Sequence, residues 1–358
     1  MVTGLLQSKS SNLSHWTSYV QSKATQAQST ETRFNRLLEN ELVQPQEIYR
    51  PIILEALKHW GSNEVRLALD TSMLFEDYCM IRVVLLYRGR GVTLAWEVIE
   101  HASASVDLKQ LLNVLDETSI ILKEAGIKKV ILIADRGFAD TDLMKYLNAL
   151  GWIYLIRIKA SFGIYSPQGD LLCKTGQVAL GKNQSKHYHN VALTKKKLGL
   201  VHVGLANVQG AKEPWFVACN RPTTNASFSE YGERFDIEQV FKDDKSGGFD
   251  LEKSGLRDTS KLDRLMLILC LAMLLLVAEG TRVVLNNWRR SVDCHWFRGL
   301  SYLQLGWRFM ARALTMGASF LVSLELHSGV DPDPIPIKKK FVDLVGCLVS
   351  QTMVFRVP

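Results

Sequence analysis

Apolar positions follow different rhythms in different parts of this chain, and the changes of rhythm mark its organisation. Residues 1–60 are polar, rich in Ser, Gln and Lys, with helical spacing from about residue 33 and no Pro or Gly between 5 and 44. They predict a small helical domain able to touch DNA or a partner subunit. From residue 61 the period shortens. Val65, Leu67 and Leu69 alternate as in a strand that ends at Asp70. CMIRVVLLY and VTLAWEVI read as a hairpin turning through Arg88-Gly89-Arg90-Gly91. Helical spacing over 108–125 comes next. Val130–Ala134 is then a continuous apolar run, as in a strand covered on both faces, and it ends at Asp135. A helix over 141–150 and the strand IYLIRIK complete an α/β pattern.

Residues 161–224 break that pattern with short β-like runs between Gly, Asn and Pro turns, which predicts a β-rich insertion in a core spanning 61–330. Helices return over 225–330. The run LMLILCLAMLLLVA (265–278) has 14 residues, bracketed by Asp263, Arg264 and Glu279. A bilayer needs about 20, so it predicts a helix buried on all sides rather than a membrane span. DPDPIP (331–336) cannot continue a helix, and 331–358 reads as a C-terminal tail.

Composition narrows the class. With 358 residues, 47% hydrophobic and 22% charged, the chain suits a globular protein and excludes a disordered one. Net charge is +7. Residues 151–221 hold ten basic residues against Asp170 and Glu213, so this segment alone carries the excess. Lys195, Lys196 and Lys197 lie within it, and such a segment suits a DNA backbone. Six cysteines without CxxC spacing read as reduced core thiols, not a zinc site, and no signal peptide is visible.

The chemistry concentrates in YGERFDIEQVFKDDK. Tyr231, Arg234, Glu238 and Lys245 stand at offsets of 0, 3, 7 and 14. At about 100° per residue these fall within roughly 60° on one helix face. A capping box at Ser227-x-x-Glu230 and a stop at Gly247-Gly248 would bound that helix. Arg and Lys suit phosphate oxygens, and a carboxylate suits a hard cation. Cutting a phosphodiester with two metals needs several convergent carboxylates. Asp70 and Asp135, each placed at the carboxyl end of a strand, are the natural partners of Glu238.

LALDTS around Asp70, IADRGF around Asp135 and the Y-x2-R-x3-E-x6-K signature from Tyr231 to Lys245 together resemble a DDE transposase of the insertion-sequence-4 family. QAQSTETRFNRLLEN and HWFRGLSYLQLGWR resemble segments of that family too, so the likeness covers most of 20–330. The resemblance implies an α/β, RNase H-like catalytic core with a β-rich insertion and an N-terminal helical domain. It implies that Asp70, Asp135 and Glu238 bind two Mg²⁺ ions, with Mn²⁺ as a substitute. Tyr231, Arg234 and Lys245 would contact phosphate at the transposon end. Trp215 takes the place of a Trp that stacks on a flipped base in some relatives; a core or edge-strand role is the alternative. Arg136 and Lys195–Lys197 are further candidate DNA contacts. The implied partners are double-stranded DNA, as transposon ends and target, and a second copy of the chain in a homodimeric synaptic complex. The implied location is the bacterial cytoplasm, on the nucleoid when DNA is bound. A catalytically inactive DNA-binding remnant and another RNase H-like DNA nuclease remain the rival readings.

Overall fold

A computed structural model describes residues 1–194, 198–208, 211–242, 248–317, 323–334, 345 and 347–356. Its centre is a mixed sheet. An antiparallel meander of β1 (Glu64–Leu74), β2 (Tyr78–Tyr87) and β3 (Arg90–Glu100) joins β4 (Lys129–Ala134), which is parallel to β1, and β5 (Ile153–Arg157), parallel to β4. The β2–β3 hairpin turns where predicted, with Arg88 and Gly89 both at positive φ, as a two-residue hairpin turn requires. Helices α5 (Leu108–Glu124) and α6 (Thr141–Ala149) supply the crossovers, each N-capped by an aspartate, Asp107 and Asp140.

The β-rich region is no separate body. β6 (Gly163–Tyr165), β7 (Leu171–Lys174), β8 (Gln184–Leu193), β9 (Leu198–Ala206) and β10 (Trp215–Cys219) extend the same sheet, in the order β3-β2-β1-β4-β5-β10-β9-β8-β6-β7. β10 lies between β5 and β9, with Val217 and Cys219 buried on one face and Ala218 on the other. Residues apolar on both sides suit an interior strand, and this one welds the inserted segment to the core.

Both ends of the chain also join the main body. Helices α1 (Val2–Ser8), α2 (Leu13–Trp16), α3 (Ala27–Glu39) and α4 (Pro45–Ala56) form the helical first sixty residues. Their buried Leu5, Trp16, Phe34, Leu38 and Ile53 belong to the same core as the sheet. At the other end, Asp331 accepts hydrogen bonds from Tyr302 and Arg298, Asp333 pairs with Arg289, and β11 (Val349–Val354) runs parallel to β8. The segment read as a tail is therefore stitched to the fold at its start and near its end.

Alternate strand residues face opposite sides. Leu67, Leu69, Val83, Leu85, Leu132 and Ile156 point into the main core, under α5, α6 and α9 (Thr259–Leu285). α9 extends well beyond its 14-residue apolar run to 27 residues, and its most apolar 18-residue window is 89% buried inside the protein. The other sheet face carries Ala68, Val84, Ile131, Ile133, Leu155 and Val217. It is covered by α7 (Asn225–Gly232), through Phe228 and Tyr231, and α8 (Phe235–Lys242), through Ile237.

Candidate active site

Two of the three acids are set by strand register. The parallel β1–β4 ladder ends at the pair Leu69↔Ala134, so Asp70 and Asp135 both follow it by one residue, at the same level on neighbouring strands. Each is two residues beyond a side chain on the α7–α8 face, Ala68 or Ile133, and so projects to that face. Asp70 does not end its strand, as the alternation suggested. β1 continues to Leu74 because β2 pairs with it through Leu74↔Tyr78, and Asp70 lies opposite Arg82.

The third acid arrives on a broken helix. One continuous helix was expected from Ser227; the structure has α7, capped by Thr224 with Ser227 at its third position, then a turn at Glu233–Arg234, then α8. Through the turn Glu233, Arg234, Asp236 and Ile237 each donate a backbone hydrogen bond to the carbonyl three residues earlier, a tightening to 3₁₀ geometry. Glu230 and Glu233 of this segment are anchored by Arg221 and Arg66.

The break leaves Arg234 at 7% exposure, forked between two acids. Its Nη1 donates to Asp70 Oδ2 at 3.1 Å and its Nη2 to Glu238 Oε1 at 3.1 Å. Tyr231, also buried, directs its hydroxyl at Asp135 Oδ1 (3.3 Å). The phenol and the guanidinium thus both hold acids of the proposed triad. Burial raises the Asp70 carboxyl to about 6; Asp135 and Glu238 add to the rise, while Arg234 and the Thr71 N–H oppose it. Burial likewise lifts the Tyr231 phenol to about 12. Three convergent carboxylates are the donors a hard cation takes. Among the described residues, however, the only three-residue group whose donor atoms all lie within 4.8 Å of one another is Asp293, Cys294 and His295. Asp70, Asp135 and Glu238 are therefore more loosely spread here, with Arg234 between two of them.

The Asp70 shift fixes the sign of a pH effect. Its folded value lies above the ordinary 3.8. The stability it contributes is thus full below about 3.8 and lost as pH rises through about 6. A cation needs the carboxylate, so divalent-metal affinity follows the opposite trend. Mn²⁺ affinity is expected to fall about ten-fold per pH unit below pH 6 for each proton displaced. Calorimetric titration between pH 5 and 8 reads this; a flat profile would remove Asp70 from the ligand set.

The profile of the transposase DDE domain family matches residues 76–275. The chain belongs to that family. Asp135, Tyr231, Arg234, Glu238 and Lys245 fall within the matched stretch of this transposase domain, and Asp70 lies six residues ahead of it. A comparison with curated proteins finds no match.

The remaining predicted contacts separate. Lys245 and Lys195–Lys197 lie outside the described residues. Trp215, on an interior strand, is 4% exposed and packs edge-on against Tyr231, with ring centroids 5.2 Å apart. It presents no open ring face in this structure. Arg136, in the turn after Asp135, is exposed and shares Glu213 with Arg157, at 3.3 and 2.7 Å. From sequence alone Glu213 has no role beyond being one of only two acids in the basic stretch 151–221. That isolation was the available signal. Glu213→Gln frees both arginines of their counter-charge. It is expected to tighten DNA binding several-fold at low salt and to steepen the salt dependence by one or two phosphate contacts. Anisotropy titrations over a range of salt concentrations check this, and an unchanged slope refutes it.

Proposed function

We propose that this chain is a DNA transposase of the insertion-sequence-4 branch, with an RNase H-like core. It would cleave phosphodiester bonds at the terminal inverted repeats of its element and join the freed 3′-hydroxyl ends to target DNA. The observation that supports this best is the Arg234 fork between Asp70 and Glu238, with Tyr231 on Asp135, in a member of the transposase DDE family. Asp70, Asp135 and Glu238 would hold Mg²⁺, or Mn²⁺ in its place. Such ions supply Lewis acidity and activate water toward an in-line attack on phosphorus. The chain's own residues prepare the site. Tyr231 fixes the orientation of Asp135, and Arg234 offsets the mutual repulsion of Asp70 and Glu238. Arg234 retains further N–H donors for a phosphate oxygen. Lys245 would add a second cationic contact and Arg136 a third; such contacts position DNA without reading its sequence. Cutting two ends together calls for a homodimer on double-stranded DNA, acting in the bacterial cytoplasm.

The test is incubation with DNA carrying the inverted repeats that flank the gene, in Mg²⁺ or in Ca²⁺. Cutting at the repeat boundary and joining to a second duplex, in Mg²⁺ alone, is the expected result. Binding without cutting would select an inactive DNA-binding remnant. Cutting that ignores the repeats and never joins ends would select a different nuclease.

A further inference from the structure

Beyond α9 the chain builds a second surface whose chemistry the acid site does not use. The loop from Asn286 to Leu300 exposes Trp288 at 42%, Trp296 at 78% and Phe297 at 66%. Large aromatic rings left in water on a fixed scaffold point to a binding surface. This loop is fixed. Asp293, fully buried, accepts from Arg289 (3.2 Å) and from the backbone N–H groups of His295 (3.1 Å) and Gly299 (3.0 Å). Arg289 also donates to the carbonyls of His295 and Trp296, and Arg290 to that of His295. Helix α10 (Tyr302–Thr315) lies alongside: Arg308 and Arg312 donate to the carbonyls of Val292 and Ser291, and Phe309 stacks on Trp288 at 5.7 Å and 12°.

Charge identifies the partner. Residues 282–312 contain six arginines, of which Arg282 pairs with Glu279, Arg289 with Asp293 and Asp333, and Arg298 with Asp331, leaving three as the excess. Arg290, Arg308 and Arg312 are exposed and form no ion pair among the described residues. Arg290 sits over the Trp296 ring, 5.5 Å from its centroid. Cationic side chains interleaved with open aromatic rings match a polyanion that also has flat faces to stack. A single strand of nucleic acid has both, because its bases are not occupied by a complementary strand. An acidic peptide has the charge without the faces.

We propose that the 286–300 loop and the adjoining face of α10 form a platform for single-stranded nucleic acid, with Trp296 and Phe297 stacking on bases and Arg290, Arg308 and Arg312 meeting phosphates. This platform is separate from the acid site. It continues from the far end of α9, whose first turns lie against the strands beside Asp70: the Arg82 guanidinium meets Met266 Sδ and the Trp96 indole donates to the Asp263 carbonyl. Near its base Tyr87 meets Thr281, while Asp70 pairs with Arg82, five residues away along β2. That is about 17 Å at the rise of an antiparallel strand. The bases and phosphates held on this platform are therefore not those at the acid site of the same molecule. The platform suits a strand already displaced from its duplex.

The test uses the full chain and an oligothymidylate of about 12 nucleotides, followed by anisotropy, with a duplex of equal length for comparison. Because it reads binding and not cutting, a failed cleavage assay leaves it intact. The double variant Trp296→Ala/Phe297→Ala is expected to weaken oligothymidylate binding ten-fold or more and duplex binding less than two-fold. Arg308→Gln/Arg312→Gln is expected to lower the salt dependence of oligothymidylate binding by about one to two phosphate contacts. Ultraviolet cross-linking of the unaltered protein to an iodouracil-substituted strand is expected to place adducts on Trp296 or Phe297, which guards against a variant that misfolds. Wild-type affinity in a correctly folded aromatic double variant would overturn the proposal. So would adducts confined to residues 184–242, or displacement of the strand by polyglutamate as readily as by a second oligothymidylate.

Discussion

Glu238→Gln is expected to lower phosphodiester cleavage at least about 10³-fold while leaving DNA affinity within about two-fold. The estimate follows from the several kcal/mol of transition-state stabilisation that an acid-held metal contributes, where about 4 kcal/mol corresponds to 10³ in rate. The variant separates chemistry from structure. The Gln amide oxygen can still accept from Arg234 Nη2, and Asp70 still holds Nη1, so the guanidinium keeps its place. Only the anionic charge is lost. Cleavage of a repeat-bearing DNA in Mg²⁺, beside binding in Ca²⁺, reads both quantities. A variant that cuts at the wild-type rate would remove Glu238 from the catalytic set, and a variant that neither cuts nor binds would place it in the DNA interface.

The second large effect is on stability. Helices α9 and α10 cross at Gly280 and Gly306, where backbone meets backbone. A Cβ on Gly280 would stand 1.8 Å from the carbonyl oxygen of Tyr302, and one on Gly306 would stand 2.0 Å from that of Leu276. Neither obstacle is a side chain able to rotate away, so the helices must separate to admit a methyl group. Gly280→Ala is expected to destabilise the fold by about 3 kcal/mol or more, the upper range of overpacked cores. Urea unfolding followed by circular dichroism measures it. A loss below about 1 kcal/mol would mean that the crossing is looser than this geometry.

How much of this was legible in the sequence depended on whether the deciding contacts were local. The β2–β3 hairpin, the Asp135 strand and helices α5 and α6 came from alternation, turn residues and helical spacing, and they lie within a residue or two of their expected bounds. The acids and the Arg-Glu pair were legible as types at fixed offsets. What escaped was set by long-range pairing. Nothing near Asp70 reveals that β2 carries β1 on to Leu74. The turn at Glu233–Arg234 opposes a sequence that reads as helical throughout; there Arg66, 167 residues away along the chain, holds Glu233, and Arg221 holds Glu230. Trp215 had two readings, and its burial on a strand between β5 and β9 is set by partners on other strands. The attachment of 161–224 to the main sheet was equally invisible, because a strand's neighbours are not written in its own residues.

The register that sets Asp70 beside Asp135 also bears on the chain's birth at the ribosome. Those two acids belong to adjoining strands and can meet early in synthesis, whereas Glu238 follows Asp135 by 103 residues. At about 5–20 residues per second, the nascent chain spends roughly 5–20 seconds with its first two acids made and its third unmade. A member of a family that cuts nucleic acid thus acquires Glu238 only after most of its sheet has been translated.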